Sequence, residues 1–148
     1  MATAAKQEQT STRRVQVRRV FEASPERLFR AWTTPEDLKR WHAPGALTTP
    51  LAEVDLRVGG TYRIHMVEPS GKEHRVSGTY RTVEPPRRLV YTWKWEDDPT
   101  ETVVTLEFLP KGKGTELVLT HEGFASEERR ASHEQGWTAI FDKLGAQL

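Results

Sequence analysis

From residue 51 to about residue 122 the chain repeats one pattern. Short stretches alternate apolar and polar residues, and each is cut off by a turn of Gly, Pro or acidic residues. "AEVDLRV" sets Ala52, Val54, Leu56 and Val58 against Glu53, Asp55 and Arg57, and Gly59-Gly60 reads as a tight hairpin turn. "TYRIHMV" returns with Tyr62, Ile64 and Met66 on one face. "HRVSGTYRTVE" and "RRLVYTWKW" flank Pro85-Pro86, and the latter carries Leu89, Tyr91, Trp93 and Trp95 on a common face. "TVVTLEFL" and "TELVLTHEGF" close the series, presenting Val104, Leu106 and Phe108, then Leu117, Leu119 and His121. Six consecutive strands with short links make an antiparallel meander, and its one apolar face must be covered.

The cover lies in the flanking segments. "SEERRASHEQGWTAIFDKLGAQL" starts at Ser126 with Glu127 and Glu128 and repeats His133, Trp137, Ile140, Phe141, Leu144 and Leu148 at helical spacing. Upstream, "RVQVRRVF" places Val15, Val17 and Phe21 on one strand face. Two short helices follow. Ser24 caps the first and Pro25 opens it, and Thr34 and Pro35 repeat the device for the second. Pro44 and Gly45 end that second helix. The order strand, two helices, six strands, long helix predicts an α+β domain with a helix lying across a curved sheet.

Composition excludes several function classes. With no cysteine, disulfides, thiolate zinc sites and cysteine nucleophiles are ruled out. Lys plus Arg number 22 and Asp plus Glu 21, so there is no electrostatic footprint for nucleic acid, and the early Arg13, Arg14, Arg18 and Arg19 read as a solvated strand face. No stretch approaches a membrane span, and residues 1–12 are small and polar with no apolar signal core. The expectation is a cytoplasmic protein with a disordered tail at 1–12 and one domain at 13–148, monomeric or homodimeric.

Three motifs invite chemistry and fail its requirements. "HEQGW" falls one residue type short of the helical zinc signature, because Trp137 stands one turn after His133 where a second imidazole is needed. No metal and no cofactor are expected. "PKGKG" lacks the following helix of a phosphate loop, and no Gly-x-Ser-x-Gly or nucleophilic triad is present. Gly136, inside a helical pattern, costs stability relative to alanine. Either a neighbouring element or a ligand presses on the helix there, or it is a surface glycine.

The inward faces mix Tyr, Trp, Met and His, whose polar tips need partners, and an internal pocket with a few polar groups would supply them. The candidate ligand-cavity residues are Trp41, Tyr62, Ile64, Met66, Tyr80, Trp93 and Trp95, with Phe108, Leu119, His121, His133, Trp137 and Phe141. His121 and His133 are the candidates for orienting polar groups on the ligand.

The motifs "VRRVFEASPERLFRAWTTPEDLKRWHAP", "DLRVGGTYRIHM", "GTYRTVEPPRRLVYTW" and "HEQGW" together resemble the SRPBCC superfamily, with its START-like, birch-pollen-allergen-like helix-grip fold. Within it the chain is similar to the bacterial branch homologous to the C-terminal domain of the activator of the 90-kDa heat-shock-protein ATPase. The resemblance implies a seven-stranded antiparallel sheet gripping the C-terminal helix around a cavity. It implies that Trp41, Pro44, Gly59, Gly60, His133, Gly136 and Trp137 occupy family motif positions. It supplies no catalytic residue. Some relatives are aromatase/cyclases, some sequester hydrophobic ligands, and the eukaryotic namesakes are co-chaperones with an additional N-terminal domain. The leading expectation is therefore binding of a small hydrophobic or aromatic molecule between sheet and helix. The alternatives are a cyclase, dehydratase or hydrolase working through cavity histidines, and a chaperone-binding or regulatory module.

Overall fold

The computed structural model describes residues 13–148, so the tail expected at 1–12 lies outside the described residues. Strand β1 (Arg14–Phe21) leads to helix α1 (Pro25–Thr33) and helix α2 (Pro35–Trp41). Six strands follow: β2 (Thr48–Val54), β3 (Thr61–Val67), β4 (Glu73–Glu84), β5 (Arg88–Trp95), β6 (Thr102–Lys111) and β7 (Gly114–Glu122). Helix α3 (Glu127–Gln147) ends the chain. The strands form one antiparallel sheet in the order β1-β7-β6-β5-β4-β3-β2, so the first strand pairs with the last and the meander runs out to β2. This is the helix-grip architecture. Among the described residues no helix is long and apolar enough to cross a membrane.

Local chemistry sets the helix starts. Ser24 accepts the Arg27 N–H at 3.1 Å and Ser126 accepts the Arg129 N–H at 3.2 Å, each satisfying a free donor of the first turn. Thr34 stands at the N-cap of α2, yet its side chain makes no capping bond, contrary to expectation. There Pro35 at the first position, which has no N–H to satisfy, and the acidic Glu36 and Asp37 favour the start.

The sheet bends where β4 meets β5. A Cβ on Gly78 would stand 1.9 Å from the Thr92 carbonyl oxygen, so only glycine permits that approach. The pairing slips between Tyr80 and Thr82. The Tyr62 hydroxyl donates to the same Thr92 carbonyl at 2.6 Å and fixes β3 across the bend.

Two expectations are corrected. Strand β2 starts at Thr48 and stops at Val54, so Leu56 and Val58 do not continue its buried face; Val58 is 65% exposed. The connection to β3 is a loop over 55–60 rather than a two-residue turn. It is held by Asp55 N–H to the Thr61 carbonyl at 2.9 Å, and Gly59 adopts φ +85°. In α3 the apolar stripe ends at Leu144, and Leu148, the C-cap residue after the last helical turn, is exposed.

The core lies between the concave face of the sheet and α3, with α1 packed towards β6 and α2 against β2. Phe29 of α1 meets Phe108 edge-on at 5.4 Å, Phe21 meets Phe141 at 5.8 Å, and Trp32 meets Trp41 at 4.5 Å. The Trp41 indole N–H donates to the Ala31 carbonyl at 3.1 Å, joining the two short helices.

Candidate functional site

Where α1 and α2 no longer cover the sheet, a groove of about 780 Å³ opens between β3–β5 and the first half of α3. Its apolar wall comes from Met66 on β3, Trp93 and Trp95 on β5, Trp137 and Ile140 on α3, and Leu47 after α2. Its rim is charged. The β3–β4 turn and the start of β4 give Glu68, Lys72, Glu73, His74 and Arg75, the turn after β5 gives Glu96 and Asp97, and α3 gives Arg129.

Most of the rim charges are matched. Glu68 contacts His74 at 2.5 Å, and Arg75 lies 2.9 Å from Glu73 and 3.5 Å from Glu96. Arg129 meets Asp98 at 2.7 Å and so ties α3 to the β5–β6 turn. The Thr100 backbone N–H donates to Asp98 and holds that carboxyl below the usual range. At the other end Lys143 donates to the Leu47 carbonyl at 3.0 Å, pinning the segment after α2 to the same helix.

The two candidate histidines have all four ring nitrogens engaged within the protein. The Trp137 indole N–H donates to His121 Nδ1 at 2.9 Å. His121 must therefore carry its proton on Nε2, which faces Thr102 Oγ1 at 2.6 Å, and that hydroxyl passes its own proton to the Trp93 carbonyl at 3.1 Å. Burial, with neighbouring His133 as a smaller cause, pushes His121 well below the ordinary histidine range. His133 Nε2 accepts from the Trp95 indole N–H at 3.0 Å, while Nδ1 donates to the Arg129 carbonyl at 2.8 Å. Its pKa is also lowered, chiefly by burial. Both rings are neutral near pH 7, and neither has a free nitrogen for proton transfer to a ligand.

Of the predicted cavity residues, the structure brings Met66, Trp93, Trp95, His133 and Trp137 together on the groove. The others lie in packed interior. Trp41 is sealed against Trp32, Phe108 against Phe29, and Phe141 against Phe21. Tyr62 and Tyr80 stack with Tyr91 at the far bend, and burial pushes both hydroxyls to high pKa. Ile64, Leu119 and His121 are also buried, and His121 acts through Trp137 rather than on the groove surface. All eight are buried; the six strand residues among them face inward as alternation predicts, and Trp41 and Phe141 come from the helices that pack there.

Gly136 lines the groove, and a Cβ built on it would meet nothing within 4 Å. No neighbouring protein element presses on the helix there. The charged rim was missed because its residues lie in turns and at the ends of β4 and α3, where periodicity carries little signal; only the parity of His74 with Val76 on β4 hinted at an inward position. Among the described residues no three His, Asp or Glu side chains gather as a metal site requires.

A family model described as Activator of Hsp90 ATPase homolog 1-like protein matches residues 22–148. The human Activator of 90 kDa heat shock protein ATPase homolog 1 is 33% identical over 134 residues, covering 88% of this chain and 35% of that protein. The mouse protein of the same name is 32% identical over the same share. The chain thus spans about a third of the length of the curated relatives it matches. Among solved structures, a Chromobacterium violaceum protein superposes with a TM-score of 0.86 at 29% identity, covering 92% of this chain and 96% of that one. The AHSA1 protein of Silicibacter pomeroyi gives 0.82 at 31% identity, covering 90% and 96%.

Proposed function

Since the chain belongs to the family of Activator of Hsp90 ATPase homolog 1-like proteins, whose fold leaves a groove between sheet and long helix, we propose that it binds a small apolar or aromatic molecule in that groove. One observation carries the reading. Trp93, Trp95 and Trp137 converge on a single open wall, with Trp93 and Trp137 5.0 Å apart and Trp93 and Trp95 5.3 Å apart and perpendicular. Large rings, two of them held by their own hydrogen bonds, Trp95 to His133 and Trp137 to His121, provide apolar contact area at little entropic cost on binding. The volume suits a molecule of a few fused rings. The charge-paired rim keeps the mouth wet without drawing strongly charged ligands.

Titration with a panel of apolar aromatics, followed by tryptophan fluorescence, tests the reading. Saturable binding is expected, and Gly136→Leu, which puts apolar bulk into the groove, should abolish it while the melting temperature holds. Absence of saturation across the panel, or binding indifferent to Gly136→Leu, overturns it.

A second reading rests on the 33% identity to the human activator of the heat-shock-protein ATPase. It assigns the chain to contact with a chaperone of that class. Stimulation of that chaperone's ATP turnover by this chain alone is the expected result, and an unchanged turnover at saturating chain rejects it.

A further inference from the structure

We propose that the groove contains a polar recognition point, the Trp93 indole N–H with His42 behind it, which selects neutral aromatic ligands bearing a hydroxyl or carbonyl oxygen. The proposal rests on the groove reading above and names the ligand class that the groove takes.

Among the described residues, four buried side-chain nitrogens have no protein partner: Arg27 Nη1, Trp32 Nε1, His42 Nδ1 and Trp93 Nε1. Three of these belong to a run of rings joined through His42, which lies 6.0 Å from Trp32 and 6.0 Å from Trp93, centroid to centroid. The remaining indoles are all served: Trp41 by the Ala31 carbonyl, Trp95 by His133 and Trp137 by His121. A fold that finds acceptors for three indoles has left two donors and an imidazole nitrogen together. Buried groups of this kind are costly unless something pairs with them. Of the three, only Trp93 also lines the groove; its nitrogen is itself buried, so a ligand seated there meets the ring and reaches the unmet donor by a small turn of that ring.

The chemistry of the pairing follows. An indole N–H only donates, so the ligand must present an acceptor. His42 is fully buried and desolvation lowers its pKa to about 4, so it is neutral near pH 7. In the tautomer with the proton on Nε2, its Nδ1 accepts. A hydroxyl oxygen answers both neighbours, accepting from Trp93 and donating towards His42, and a carbonyl answers the first. A carboxylate fits poorly. Among the described residues lining the groove, Arg75 and Arg129 are already paired with acidic residues and Lys72 lies on the turn at the rim, which leaves little to offset the desolvation of an anion.

Three probes of one shape separate the possibilities: naphthalene, 2-naphthol and 2-naphthoate, titrated against the full chain by NMR. The expected order is 2-naphthol at least about tenfold tighter than naphthalene, the factor that about 1.4 kcal/mol represents, with 2-naphthoate weaker than 2-naphthol. The Trp93 indole proton should move downfield with 2-naphthol and not with naphthalene. In Trp93→Phe the ratio of the two affinities should collapse to about one; if that variant does not fold, the indole resonance of the parent chain still decides. Equal affinities with an unmoved Trp93 proton overturn the recognition point, since the indole is then served by a buried water. Tightest binding of 2-naphthoate overturns it too. Binding of naphthalene without preference leaves the groove reading standing, whereas no binding of any of the three removes both.

Discussion

The two ends of the grip are built from the same sheet and the same helix, yet they are packed to different standards. Under α1 and α2 the interior has three layers, and rings such as Phe29 on Phe108 and Phe21 on Phe141 close every gap; Leu28, Leu106, Leu117 and Leu144 have no exposure at all. At the other end the sheet meets α3 alone, Trp95 is half-buried, and two of its neighbours line open space. Apolar area is plentiful in both. What differs is whether a second element arrives to bury it. Stability should therefore reside in the closed half and recognition in the open half, with His42, His121 and Trp137 on the boundary.

The largest test of that division is a pair of truncations. Phe108→Ala in the closed half should cost about 3–5 kcal/mol, the usual range for a fully buried aromatic whose site cannot collapse. Trp95→Ala in the open half should cost much less because its ring is already partly hydrated, yet it should abolish binding of groove probes. Urea denaturation and probe titration of both variants measure the contrast, and equal losses of stability would dissolve it.

Next comes acid. His42, His121 and His133 all have folded pKa values below the ordinary 6.5. The unfolded chain takes up protons on these groups below about pH 6.5 while the folded chain does not, so stability falls as pH drops through that point. For His42 the window runs from 6.5 down to about 4. At about 1.4 kcal/mol per pKa unit that one group removes on the order of 3 kcal/mol by its lower end. Urea midpoints from pH 7.5 to 4.5 should decline steadily, and His42→Phe should flatten the curve. A flat midpoint in the parent chain contradicts neutral burial at the boundary.

A smaller effect probes the open half alone. Trp95→Phe keeps a ring but leaves His133 Nε2 without its donor. The expected loss is about 0.5–1.5 kcal/mol, because the site is partly wet and water can take the indole's place. The His133 pKa should rise towards the ordinary range, which its ring-proton shifts would report. An unmoved pKa would show that burial alone sets it.

The alternation of β3, β5, β6 and β7, the caps Ser24 and Ser126 and the stripe from Trp137 to Leu144 were all readable as letters, because each reflects a local period that the backbone imposes. Alternation also told which face Tyr62, Ile64, Phe108 and Leu119 present. It could not tell that α1 and α2 would cover half of that face, since this depends on where a chain reversal at residues 42–47 returns the backbone. The groove is the remainder after that docking, and its rim of Glu68, His74, Arg75 and Glu96 comes from turns and the start of β4, brought together only by the meander. The two histidines were chosen for their position in the pattern. Their roles were decided by partners 16 and 38 residues away in sequence, Trp137 for His121 and Trp95 for His133.

The smallest expected effect concerns Gly136. Within α3 a glycine costs roughly 0.5–1 kcal/mol against alanine. The added methyl of Gly136→Ala meets nothing within 4 Å, so no overpacking offsets the gain. The variant should therefore be more stable than the parent by about that amount, which reverses what a helix pressed by another protein element would give. The methyl would point into the groove, so binding of a flat ligand should weaken modestly, and Gly136→Leu should weaken it far more at little cost to the fold. That pattern of higher stability with poorer binding is the signature of a position kept bare for recognition. A Gly136→Ala chain that is less stable than the parent would mean that the helix backbone is closer to its surroundings than the open half allows. Unchanged binding in Gly136→Leu would mean that the ligand sits elsewhere.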